Sequence, residues 1–114
     1  MTKVYKIAPR AAWEAACAAG RFEGAGVDLA DGFIHLSTAA QAPETARRHF
    51  AGREGLVLIR FEAEAFGAAL RWEPSRGGEL FPHHHGALDP ALAEAVADLE
   101  LGADGAPALA GLIA

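Results

Sequence analysis

The sequence predicts one α+β domain over residues 1–114, with a mixed, mainly antiparallel sheet covered by two main helices. Three observations carry that expectation. Leu56 to Glu62 (LVLIRFE) opens with four consecutive apolar residues, the pattern of an interior strand covered on both faces, and Arg60 and Glu62 mark its approach to water. Pro9 to Ala19 runs through strong helix formers between a proline suited to a first helical turn and Gly20, suited to a left-handed stop. Most of the remainder alternates short β-favouring stretches with Gly, Pro and Asp turns, and 52% hydrophobic content over 114 residues supplies a core without disulfide staples.

In chain order, Lys3 to Ala8 reads as a first strand because Val4, Tyr5 and Ile7 favour extended backbone. In the helix that follows, Trp13 and Cys17 stand four residues apart and are expected to pack together against the sheet. Cys17 has no catalytic role in this reading. Arg21 to Asp31, with Gly24, Gly26 and Asp28, reads as a loop that serves either as a lid or as a plain connector. Gly32 to Thr38 (GFIHLST) is a short buried strand ending in two hydroxyls. Thr38 and Gln41 then have the spacing of a capping box, and Pro43 requires an irregular first turn or a helix beginning nearer Ala42 and ending at Gly52. Beyond the LVLI strand, a turn over Ala63 to Gly67 leads to a strand at Leu70 to Glu73. Pro74 to Gly78 is a turn into a strand from Glu79. Ala95 to Leu101 alternates as a last strand, and residues 103–114 form a small apolar tail with one or two helical turns.

Composition limits the partners. A net charge of −5 with ten Lys and Arg lacks the dense basic face that a broad nucleic-acid or anionic-membrane surface needs, so a small-molecule or nucleotide ligand is expected. Cys17, the one cysteine, allows no internal disulfide. No apolar run approaches a membrane span and the amino terminus lacks a secretory pattern, which together place the expectation in the cytoplasm. Oligomeric state is not legible.

Two stretches carry the chemistry. GFIHLST and Glu79 to Gly86 (ELFPHHHG) hold four of the five histidines, the side chain that titrates nearest neutral pH. The candidate catalytic residues are Glu79, His35 and His83, and the candidate ligand-binding residues are Lys6, Phe33, Ser37, Thr38, Gln41, Trp72, Phe81 and His85. The plain alternative is a hydrogen-bonded core histidine and an exposed histidine loop. His49 beside Arg47 and Arg48 is expected to be solvated. Alternation along an extended chain turns His83 and His85 to one side and His84 to the other; joined by His35 or Glu79 the first two would make a plausible metal site, but HExxH and paired CxxC patterns are missing, so a metal-binding protein is the lesser alternative and no metal ligand is assigned. Pro82 cannot donate to a ladder and is expected to release the histidines into a loop over a cleft shared by His35, Ser37, Glu79 and His83.

The order of a short first strand, a Trp-bearing helix, GFIHLST with Gln41, LVLI, RWE and GELFPHHHG resembles a small family of uncharacterised bacterial and plant proteins, the domain of unknown function numbered nine-five-two. The resemblance runs from about Val4 to Leu101. By fold that family is similar to the ADP-ribosyltransferase superfamily, which includes RNA 2'-phosphotransferases that consume NAD. The resemblance therefore implies NAD as the possible cofactor and ADP-ribosyl or phosphoryl transfer as the activity, with Glu79 facing a positively charged sugar, His35, Ser37 and Thr38 binding hydroxyls, and Trp72 or Phe81 stacking. A ligand-binding or accessory module without chemistry is the alternative. Two departures stand out: Lys6 occupies the place of a first-strand histidine that helps hold the NAD ribose, and His85 replaces an aromatic. A lysine there could instead contact a phosphate.

Overall fold

The structure, a computed structural model, describes residues 2–109 and 111–113. Its chain order is β1 (Lys3–Pro9), α1 (Arg10–Ala19), α2 (Val27–Asp31), β2 (Ile34–His35), β3 (Ser37–Thr38), α3 (Ala42–His49), β4 (Leu56–Glu62), β5 (Leu70–Pro74), β6 (Leu80–His84) and β7 (Ala95–Leu99). Tight 3-10 turns at Ala63–Ala69, Arg76–Gly78 and Pro90–Leu92 link the later strands. The α+β class is as expected. Instead of one mixed sheet, however, there are two, ordered β3-β1-β4-β7 and β2-β6-β5, and each pairing in them is antiparallel.

The division falls inside GFIHLST. Ile34 and His35 pair with His84 and His83 in the small sheet, whereas Ser37 and Thr38 pair with Tyr5 and Val4 in the large one. Pro82 accounts for the break. Leu36 N–H donates to the Pro82 carbonyl at 3.0 Å, but Pro82 has no N–H to return, so the β2 ladder stops there. The same geometry corrects the expectation that Pro82 would release the histidines. N–H and C=O of one strand residue point to the same side, so the missing donor lies toward β2 and the pairing of β6 with β5 continues through Trp72↔Pro82 to Arg71↔His83 and Leu70↔His84.

Alternation along β4 explains its unbroken apolar run. Val57, Ile59 and Phe61 enter one core with Trp13, Ala16, Phe22, Ile34, Leu36 and Phe66, between the sheets and under α1. Leu56 and Leu58 enter a second core on the opposite face with Tyr5, Ile7, Ala42, Ala46, Leu99 and Leu109, covered by α3 and the carboxy-terminal tail. Strand β4 is interior, flanked by β1 and β7, as the sequence predicts.

Trp13 is buried and meets Phe22 and Phe61 edge-on, with ring centroids 5.7 and 6.2 Å apart. Cys17 is exposed, because the packed stripe of α1 is Trp13 with Ala16 at a spacing of three. The α3 helix begins at Ala42 and puts Pro43 in its first turn, and Phe50 caps it two residues before the glycine expected to stop it. In the tail, the described residues form turns that bury Ala106, Pro107 and Leu109, with no helix among them. Ala110 and Ala114, within the expected helical tail, lie outside the described residues.

Trp13→Ala should lower unfolding stability in urea by about 3–5 kcal/mol, the range for emptying a core aromatic site, while Cys17→Ala should change it by no more than about 0.5 kcal/mol. Equal effects of the two would place the buried stripe of α1 wrongly.

Candidate functional site

The break between the sheets leaves an edge that must be satisfied. His35 belongs to the small sheet on one side, and its backbone groups on the other side face β1 without a strand partner. Side chains take the ladder's place. His35 N–H donates to Asp28 Oδ1 at 3.0 Å, and the His35 carbonyl accepts from Lys6 Nζ at 3.1 Å. Lys6 Nζ and Asp28 Oδ2 are themselves 2.6 Å apart, both buried. Asp28 also accepts from Ala25 N–H at 3.0 Å and from the His35 ring at Nδ1, 2.6 Å away.

Burial alone would raise the Asp28 carboxyl. The hydrogen bond from the His35 ring, then the charge of Lys6 and its hydrogen bond, outweigh burial and hold it down at about 2. For Lys6 burial prevails and lowers it, against the opposing pull of Asp28. Because the carboxylate is ionised and accepts only, the proton between Asp28 and His35 sits on Nδ1. The other ring nitrogen, Nε2, lies 3.0 Å from Oδ2 of the exposed Asp31.

Around this arrangement opens a cleft of about 480 Å³. Strand β1 contributes Tyr5, Lys6, Ile7 and Pro9, and the α2 region contributes Asp28 and Asp31. His35, Leu36 and Ser37 form the crossing point, α3 and its end supply Thr45, His49, Phe50 and Arg53, and Phe81 and His83 come from β6. The Ser37 hydroxyl hydrogen-bonds that of Thr45 at 3.0 Å. Tyr5 is 1% exposed, and its hydroxyl has no hydrogen-bond partner among the described residues.

His35 and His83 are register partners, so their rings share one face of the small sheet, with centroids 5.3 Å apart. Phe33 lies against both, at 4.7 and 4.3 Å, and reaches His85 at 5.4 Å. Glu73 Oε1 meets His83 Nδ1 and His85 Nε2, each at 2.9 Å, and those bonds, that of His85 foremost, hold its carboxyl below the usual range. His84 turns the other way, into the core against Phe66, where its Nδ1–H donates to the Gly86 carbonyl at 3.0 Å and burial lowers its proton affinity. Among the described residues no group of three or more His, Cys, Asp or Glu is arranged to hold a metal ion.

Of the residues singled out from the sequence, Lys6, His35, Ser37, Phe81 and His83 line the cleft. Phe33 and His85 stand behind them, in the ring cluster and against Glu73. Glu79 is not brought there: it is exposed beside the hairpin turn that its carbonyl closes by accepting from Ser75 N–H at 2.9 Å. Trp72, 42% exposed, also lies outside the lining. Thr38 and Gln41 form the reciprocal bonds of a capping box, Gln41 Oε1 with Thr38 N–H and Thr38 Oγ1 with Gln41 N–H, and Gln41 Nε2 donates to the Leu80 carbonyl, so both side chains build the corner instead of facing the cleft. Lys6 commits two of its three donors, one to Asp28 and one to the His35 carbonyl.

Asp28, Tyr5, Thr45 and Arg53 are functional candidates that the sequence reading missed, and His49, expected to have no role, is exposed but lines the cleft. One signal was present: Lys6 sits inside an apolar strand, and a buried ammonium requires a carboxylate. The expected loop or lid holds α2, tied down through Asp28. Gly24 makes this possible, since a Cβ there would lie 2.7 Å from Asp28 Cβ and its φ of +111° disfavours a side chain.

A family model described as a protein of unknown function, DUF952, matches residues 7–98. The chain belongs to the DUF952 family. The crystal structure of protein CC0527 from Caulobacter crescentus is similar to it at 54% identity and a TM-score of 0.95, covering 98% of each chain. The solution structure of CC0527 is 54% identical with a TM-score of 0.88, covering 100% of this chain and 98% of its own. No curated protein matches the sequence. Among the described residues of this DUF952 protein, no helix is long and apolar enough to cross a membrane.

Asp28→Ala should cost about 3–5 kcal/mol in urea unfolding, because it strands the Lys6 ammonium and the His35 N–H without an acceptor. The carboxyl is depressed from 3.8 to about 2, so its stabilisation is present above pH 3.8 and disappears as pH falls toward 2. Wild-type stability should therefore fall by an extra 1–2 kcal/mol or so over that window relative to Asp28→Asn. Parallel acid profiles of the two proteins would contradict the assignment.

Proposed function

We propose that the cleft binds a nucleotide-class small molecule and that His35, oriented by Asp28, moves a proton on it. The observation that supports this is the 2.6 Å contact between the buried, ionised Asp28 and His35 Nδ1, which fixes the ring's tautomer and turns its Nε2 edge outward. A ligand hydroxyl that displaces the exposed Asp31 carboxylate from Nε2 gives its proton to that nitrogen when the ring is neutral, with the Nδ1 hydrogen staying on the Asp28 side. Such a step suits the ADP-ribosyl or phosphoryl transfer and the use of NAD that the likeness to the ADP-ribosyltransferase superfamily suggests. Glu79 has no part in it, because it stands outside the cleft; a carboxylate facing a developing sugar cation would have to be Asp31. His83, edge-on to His35 and held by Glu73, limits how the ring can turn.

A binding module without chemistry is the second reading. The specific observation favouring it is that Asp31 already occupies His35 Nε2, as a purely structural bridge between α2 and β2 would.

Thermal-shift screening against NAD, ADP-ribose, mononucleotides and 2'-phosphorylated RNA ends should identify a stabilising ligand, since a compound at about 100 times its dissociation constant adds about 2.7 kcal/mol. With that ligand, His35→Gln should retain binding within about threefold and lose turnover by about 10²-fold or more. Stabilisation by a ligand that is never turned over would favour the module. No stabilisation by any of them would remove the nucleotide reading.

A further inference from the structure

We propose that the ligand is a phosphomonoester bound in one orientation: a neutral, hydroxyl- or carbonyl-bearing end on Tyr5, Ser37 and Thr45, and its phosphate at Arg53. This rests on reading the cleft as a binding site and adds the ligand's class and direction.

The buried end supplies the first argument. Tyr5 and Ser37 are register partners across β1 and β3, so their side chains stand side by side on one face, and α3 lays Thr45 over them. All three groups are uncharged. The Tyr5 hydroxyl, on a residue that lines the cleft, is buried with no hydrogen-bond partner among the described residues, an arrangement that costs stability and calls for an explanation. Its ring packs in the apolar core with Ile7, Ala42 and Ala46, so Phe would fill the same place without the unmet polar group. A ligand atom that donates to or accepts from this hydroxyl satisfies it. The ligand's buried end must be neutral, because no charged side chain stands in this hydroxyl group to compensate an ion.

Charge at the opening supplies the second. Lys6 is matched by Asp28, and Asp31 is engaged by His35. Arg53, which lines the cleft at its exposed end, has no carboxylate partner among the described residues and rests its guanidinium 5.2 Å from the Phe50 ring centroid. A guanidinium presents a fork of donors matched to phosphate oxygens. The exposed His49 stands on the same rim.

Calorimetric titration of the full chain with ribose 5-phosphate, ribose, adenosine 5'-monophosphate, adenosine and inorganic phosphate tests the proposal and separates a sugar from a nucleoside source. At least one ester should bind, more tightly than inorganic phosphate and than its own unphosphorylated form. Tyr5→Phe should weaken that ester about three- to tenfold while its melting temperature stays level or rises, the signature of a hydroxyl kept for a ligand. Arg53→Ala should weaken the ester and leave the unphosphorylated form unchanged. The proposal fails if neither ester binds, if inorganic phosphate binds as well as the better ester, or if Tyr5→Phe binds like wild type. Should the esters fail while another compound binds and shifts the His35 ring resonances, the class is wrong and the site stands; should nothing shift those resonances, both are wrong.

Discussion

One buried carboxylate organises this protein. Asp28 has no exposed side-chain surface and accepts from Lys6, the Ala25 N–H, and both the backbone and the ring of His35. An isolated charge at that depth is prohibitively costly, and a charge surrounded by donors is not. The position is no accident of packing. The chain leaves one sheet for another at Leu36, His35 is left with a backbone edge facing β1, and the ion pair fills the gap that a continued ladder would have closed. Structure and site therefore share a cause: the split that calls for Asp28 and Lys6 also leaves the cleft beside them.

Legibility in the sequence followed the range of the forces involved. The interior strand, the α1 limits, the hairpin from Leu70 onward and the start of α3 near Ala42 depend on neighbours a few residues away, and their pattern can be read directly. That His83 and His85 share a side and His84 does not follows from the alternation of any extended chain. The division into two sheets depends on which side of β6 Pro82 leaves without a donor, a tertiary fact that no local pattern expresses. Cys17 illustrates the same limit on a smaller scale. A spacing of four and a spacing of three from Trp13 are both compatible with one helical face, and the sheet beneath selected Ala16.

The site was half legible for a similar reason. Histidines attract notice wherever they cluster, and His35 and His83 do meet. Asp28 resembled a turn residue because it lies between glycines, yet it is the least exposed acid near the cleft. Glu79 stands out by its position before the histidines, while the carboxylate that holds His83 and His85 is Glu73, on the neighbouring strand and on the same face. From the sequence Tyr5 reads as a strand former, and only its surroundings show that its hydroxyl lacks a partner among the described residues.

The arrangement makes a definite statement about one proton. Nitrogen-15 NMR of the His35 ring, recorded from neutral pH down toward the range in which Asp28 titrates, reads it directly. With Asp28 ionised and bonded at Nδ1, that nitrogen should carry hydrogen throughout, and any change of protonation should appear at Nε2. A neutral ring with its hydrogen on Nε2 and a bare Nδ1 would contradict the account, because Asp28 could then neither orient His35 nor be held down by it.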